Sequence, residues 1–234
     1  VQQLPLGVRL AETARFDGYV AGPNREVVER LAGASPPRWL WLWGRTGTGK
    51  SHLLQAACSA LGEQGGTAAY LDLETATSPG LLEGFEALDL VCLDGLERVS
   101  ADVDWNAAIF RLYALMQDGQ ADRPGRLYVA STAPPASLRF RLPDLRSRLL
   151  AAPVHQLLEL DEGGRIAALE LRARRRGLAL PRESATWLVH RMPRDMHSLC
   201  AVLDRLDQAA LVAQRRLTVP FLRQVLDGPS VDAT

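Results

Sequence analysis

Eight consecutive residues, Gly44-Arg45-Thr46-Gly47-Thr48-Gly49-Lys50-Ser51, carry the densest chemical signal in the sequence. They satisfy the pattern G-x-x-x-x-G-K-S throughout. An apolar run, Trp39-Leu40-Trp41-Leu42-Trp43, leads into them, and apolar residues at helical spacing (Leu53, Leu54, Ala57, Leu61) follow. A loop of this kind binds phosphate. Its glycines let backbone N–H groups turn inward, and the start of the following helix adds favourable partial charge. Lys50 is expected at the β- and γ-phosphates and Ser51 on a Mg²⁺ ion. Thr46, Gly47, Thr48 and His52 are placed in the nucleotide site with Gly44, Gly49, Lys50 and Ser51. Lys50 is the only lysine among 27 basic side chains, so arginine has not replaced it at the one place where a compact ammonium is needed.

A second signal is Leu90-Val91-Cys92-Leu93-Asp94, an apolar run that ends in a carboxylate. Alone, Asp94 is as well read as a strand-end turn residue. Beside a phosphate loop it becomes the metal-side aspartate, sharing Mg²⁺ with Ser51. Many hydrolytic P-loop proteins carry a further carboxylate at the next position to orient water. Here that position is Gly95, and the nearest acid is Glu97. Slow intrinsic hydrolysis is therefore expected.

These residues need a frame. Apolar strand-like runs at 39–43, 68–73, 90–94, 127–132 and 154–160 alternate with helix-like stretches at 51–61, 81–88 and 105–116. That alternation predicts an α/β fold with a parallel sheet covered on both faces. After about residue 160 the pattern turns to four helical stretches (162–176, 182–191, 195–213 and 219–226), punctuated by Gly177, Pro193 and Pro220. The expected organisation is an arm at 1–15, a nucleotide-binding core at 16–160 and a small all-helical lid at 161–234.

Composition excludes more than it selects. A hydrophobic fraction of 47%, a charged fraction of 23% and zero formal net charge describe a globular protein without a global attraction to nucleic acid. No apolar run reaches membrane-spanning length, and the first residues do not form a signal peptide. Cys58, Cys92 and Cys200 lie in apolar stretches without CxxC spacing, as reduced core residues of a cytoplasmic protein do. Arg172, Arg174, Arg175 and Arg176 read first as a solvated helix face. The tryptophans of 39–43 are expected to pack against helices.

Gly44–Ser51, the Leu90–Glu97 stretch, Leu142-Pro143-Asp144-Leu145-Arg146-Ser147-Arg148-Leu149 and Leu217-Thr218-Val219-Pro220-Phe221 together resemble the Hda family, DnaA-homologous AAA+ regulators of bacterial replication initiation. The resemblance implies an AAA+ core plus helical lid, bound ADP (or ATP) with Mg²⁺, docking on the DNA-loaded sliding clamp (the β subunit of DNA polymerase III), and stimulation of ATP hydrolysis on DnaA. By position it gives Arg148 the role of an arginine finger acting in trans. On the residues alone Arg148 is a surface arginine in an arginine-rich chain. The resemblance likewise makes Thr132 the sensor-1 residue and Arg194 the sensor-2 arginine, and sets Phe16–Asn24 near the adenine base.

The family's clamp-binding peptide has the form Gln-x-x-Leu-Pro-Leu. Leu4-Pro5-Leu6 is present, Val1 stands where the glutamine is expected, and Gln2 and Gln3 fall closer. Gln2, Gln3, Leu4, Pro5 and Leu6 are the expected clamp contact. DNA would be met only indirectly, no membrane is expected, and self-association through the finger face is. The chain ends at Thr234, so the expectation is of a protein without the initiator's DNA-reading domain. An autonomous AAA+ ATPase acting as helicase loader or motor is the alternative, and a truncated initiator a weaker one.

Overall fold

Strand β1 (Trp39–Trp43) is apolar at every position because both of its faces are covered. The computed structural model describes residues 14–118, 124–193, 195–213 and 215–227. Within these, β1 lies in a five-stranded parallel sheet with β2 (Ala68–Asp72), β3 (Leu90–Asp94), β4 (Arg126–Ser131) and β5 (Val154–Gln156), in the order β2-β3-β4-β1-β5. Successive side chains point to opposite faces. Leu40, Leu42, Tyr70, Leu90, Cys92 and Tyr128 meet helices α1 (Arg25–Ala32) and α2 (Lys50–Glu63) on one side. Trp41, Leu71, Val91, Leu93 and Val129 meet α3 (Val103–Asp118) and α4 (Pro143–Leu150) on the other.

The tryptophans pack as the sequence implied. Trp41 is fully buried. Its indole N–H donates to Ser131 Oγ at 2.8 Å, and that hydroxyl donates to the Ala133 carbonyl at 2.7 Å. Left unpaired, such a buried donor would cost about 1–3 kcal/mol. Trp39 stacks on Tyr113 of α3, with ring centroids 4.3 Å apart.

Three local expectations need correction. The single helix expected at 81–88 is two 3₁₀ turns, Pro79–Leu82 and Phe85–Ala87, because Gly84 between them has φ 87°, which no helix continues through. The strand expected at 154–160 ends at Gln156. Two residues later the Asn24 side chain takes both backbone groups of Leu158: Leu158 N–H donates to Asn24 Oδ1 at 2.8 Å, and Asn24 Nδ2 donates to the Leu158 carbonyl at 2.9 Å. Helices α1 and α4 were not anticipated at all. Each has eight residues and is stabilised through two buried apolar side chains: Val27 and Leu31, and Leu145 and Leu149.

The described residues through Leu158, apart from Thr46–Thr48, form one compact unit; those from Glu159, with Thr46–Thr48, form the other. The second unit holds α5 (Glu162–Arg175), α6 (Arg182–Arg191), α7 (Met196–Ala213) and α8 (Val219–Asp227), with Leu169, Leu188, Leu199, Leu203, Leu206 and Leu222 at its centre. The architecture is the α/β parallel-sheet core with a small helical domain that the sequence predicts. No described helix is long and apolar enough to cross a membrane.

Candidate functional site

The residues with chemical potential follow the C-terminal ends of β1, β3 and β4, where open parallel sheets bind ligands. The loop leaving β1 turns through Gly47 at φ 84° and Gly49 at φ 91°, conformations that only glycine adopts freely. Gly49 is constrained twice. A β-carbon there would overlap the Tyr19 ring, so a substituted loop would clash with the ring lying against it. Helix α2 then starts at Lys50 without a side-chain cap, leaving its first N–H groups for an anion. The buried Lys50 ammonium donates to the carbonyls of Gly44 at 2.8 Å and Arg45 at 3.0 Å. Burial lowers its pKa, and the carboxylates of Asp94 and Glu97 oppose that shift. Lys50, Asp94 and Glu97 therefore share one electrostatic site.

Asp94 is buried at the end of β3 and accepts a hydrogen bond from the Tyr70 hydroxyl at 2.8 Å. The Tyr70 pKa is raised, first by burial and next by the charge on Asp94. A hydroxyl and a carboxylate are hard oxygen donors of the kind Mg²⁺ prefers, so the residues present fit that ion. Tyr70 was missed from sequence. The available signal was its parity: it sits opposite Cys92, on the α2-facing side of the sheet, where Asp94 also lies two residues on.

Gly95 turns the chain at φ 81°, so the residue after Asp94 cannot carry a side chain without strain of about 1–2 kcal/mol. Glu97, the next acid along the chain, lies in the turn Leu96–Arg98. Its carboxylate accepts from the Thr132 hydroxyl at 2.7 Å and from the Thr132 N–H at 3.1 Å. Thr132, immediately after β4, thus stands beside the acidic side of the site.

His52 and the segment before α1 form the remaining wall. The Tyr19 and His52 rings are 5.7 Å apart, and His52 Nε2 lies 2.9 Å from the Arg15 carbonyl. Burial pushes the Tyr19 phenol up to about 12. Asn24 Nδ2 donates to Tyr19 Oη at 3.2 Å and so fixes the same segment to the end of the sheet.

Arg148 is on α4, held against α3. Its guanidinium donates to Gln117 Oε1 at 2.6 Å and lies over the rings of Phe110 and Tyr113, 5.0 and 5.5 Å from their centroids. Arg194 and the segment Gln2–Leu6 lie outside the described residues. In the lid, Arg172 and Arg176 both pair with Asp204 of α7, as a solvated helix face does.

Residues 161–226 match the family model described as Hda, lid domain. Among solved structures the chain is similar to domain III of the replication initiation protein DnaA from Thermotoga maritima, with a TM-score of 0.77 and 17% identity over 94% of this chain and 98% of that one. It is also similar to AMPPCP-bound DnaA from Aquifex aeolicus, with a TM-score of 0.67 and 19% identity over 86% of this chain and 67% of that one. A third similarity is to the RuvB Holliday junction branch migration motor of Thermotoga maritima, with a TM-score of 0.60 and 16% identity over 86% of this chain and 64% of that one. The chain therefore shares the fold of DnaA domain III, and its residues 161–226 match the Hda lid domain.

Proposed function

We propose that this chain is a nucleotide-holding regulator that docks on the DNA-loaded sliding clamp and stimulates ATP hydrolysis on the initiator DnaA. The observation that carries this reading is the combination of an Hda-type lid with a DnaA-type core. Gly44, Thr46, Gly47, Thr48, Gly49 and Lys50 would surround the phosphates of ADP (or ATP), and His52, Thr132 and Arg194 would complete the nucleotide site. Ser51 and Asp94 would hold Mg²⁺, which when bound neutralises phosphate charge. Gln2–Leu6 would supply the clamp contact, two such arms acting together if the chain self-associates.

The chemistry expected of the chain's own residues is electrostatic. Lys50 enters the site with its charge already directed by the Gly44 and Arg45 carbonyls, so a phosphate need only exchange for them. Arg148, presented across an interface, would stabilise charge developing on the ATP held by DnaA; such fingers are worth roughly 10³–10⁵ in rate. Gly95 supports weak turnover in the chain's own site, because it leaves the usual second carboxylate position empty.

One observation favours a second reading, an autonomous ATPase acting as loader or motor. Glu97 lies close enough to act on Lys50 and is oriented by Thr132, so it is a candidate for positioning water in the absence of an acid at Gly95. Steady-state hydrolysis by the purified chain, with and without DnaA, separates the two readings. The regulatory reading predicts little turnover alone and much more in the mixture. Turnover alone at the rate of an active P-loop ATPase, abolished by Lys50→Ala, supports the second reading instead.

A further inference from the structure

The proposed metal ligands, Ser51 and Asp94, come from different elements, the first turn of α2 and the last residue of β3. One group bears directly on the second of them. Tyr70, on β2, donates its hydroxyl to Asp94 Oδ2 at 2.8 Å. The parallel register explains the contact. Tyr70 is opposite Cys92, so its side chain emerges on the face toward α2 and runs along the sheet to the level of Asp94. The ring itself is buried among apolar neighbours, which leaves the hydroxyl little freedom to turn elsewhere.

We infer that Tyr70 is the positioning residue of the metal–nucleotide site, fixing the Asp94 carboxylate in the orientation that, with the Ser51 hydroxyl, accepts a divalent cation. This rests on the reading of that site as one for Mg²⁺ and nucleotide. The Tyr70 bond is made to Oδ2 and so restrains how the Asp94 carboxylate turns. A carboxylate released from the phenol could turn about its terminal bond, and a carboxylate free to turn binds a cation less well. Hydrogen-bond partners behind metal ligands commonly govern affinity by about 10–100-fold when removed.

Tyr70→Phe removes the hydroxyl and keeps the ring, so the packing against α2 is conserved. The full chain is titrated with a fluorescent ADP in Mg²⁺ and again in EDTA, and its thermal melt is recorded without ligand. The inference predicts binding weakened about 10-fold or more in Mg²⁺ and unchanged in EDTA, with a native-like melt. It also predicts that Tyr70→Phe adds little to the Mg²⁺-dependent loss in an Asp94→Asn background, because both changes act through one carboxylate. Equal weakening in both media, or additivity with Asp94→Asn, marks Tyr70 as a packing residue and overturns the inference. Unchanged binding does the same. Wild-type binding that is insensitive to Mg²⁺ overturns the assignment of Ser51 and Asp94 to the metal and this inference with it.

Discussion

Freeing Arg148 from α3 should make the chain a stronger activator. In the isolated chain the guanidinium is engaged by Gln117 Oε1 at 2.6 Å and by the rings of Phe110 at 5.0 Å and Tyr113 at 5.5 Å, and to serve a neighbouring active site it must leave all three. The first two are the ones a substitution can remove with least harm to the core, because Tyr113 is buried. Gln117 is exposed, so water competes for that bond and its net worth falls to the low end for a protein hydrogen bond, about 0.5–1 kcal/mol. An exposed cation–π contact contributes about 0.5–1 kcal/mol. If only the released conformer acts, the apparent affinity for the partner is reduced by the fraction released. Gln117→Leu or Phe110→Leu alone should then lower the half-saturating concentration about 2–5-fold, and both together about 5–30-fold. The assay is the initial rate of hydrolysis of DnaA-held ATP against the concentration of this chain, with a thermal melt to show that half-buried Phe110 can be replaced. A rise in the half-saturating concentration, or a loss of maximal stimulation like that of Arg148→Ala, would show that α3 holds the arginine in its working pose and refute the reasoning.

Two further predictions concern stability. Asp161 caps α5 by accepting the Gly164 N–H at 2.7 Å, and the helix opens on the weak formers Gly163 and Gly164. Asp161→Ala should therefore cost about 1 kcal/mol and lower the Tm by a few degrees; an unchanged melt contradicts the capping role. His155 on β5 has its pKa lowered from 6.5 by burial and by Arg30, with Glu26 opposing, and its Nε2 is buried without a hydrogen-bond partner among the described residues. The unfolded chain therefore binds this proton more readily than the folded one. The histidine costs no stability above its unfolded value of 6.5 and progressively more as pH falls through and below it. Between pH values on either side of 6.5 the wild-type Tm should fall further than that of His155→Gln, and parallel curves would exclude His155 as the cause.

The strand, glycine turns and helix of 39–63 were legible because their pattern is contiguous, and the strand that ends in Asp94 because an apolar run ending in an acid is a local pattern. The lid was legible for a related reason: its helices are long enough to show their period, and 196–213 departs from the expected 195–213 by one residue. What escaped depends on neighbours distant in sequence. Tyr70 reaches Asp94 only because β2 lies beside β3 in a particular register. Arg148 finds Phe110 and Gln117 only because α4 packs on α3. The early end of β5 follows from Asn24, 134 residues before Leu158, a contact that no window along the sequence contains. Glu97, the nearest acid after Gly95, was visible in the sequence, but its aim toward Thr132 is set by the left-handed turn at Gly95 and the placement of β4 beside β3.

The central claim is regulation in trans, and its most direct measurement is a single-turnover assay of ATP pre-bound to DnaA. The chain is added with clamp loaded on DNA, with clamp omitted, and as Arg148→Ala. The account predicts hydrolysis stimulated by wild-type chain only when the loaded clamp is present, and stimulation lost in Arg148→Ala although that variant still binds nucleotide. No stimulation by a folded, nucleotide-bound chain on loaded clamp, or stimulation that persists in Arg148→Ala, would contradict it.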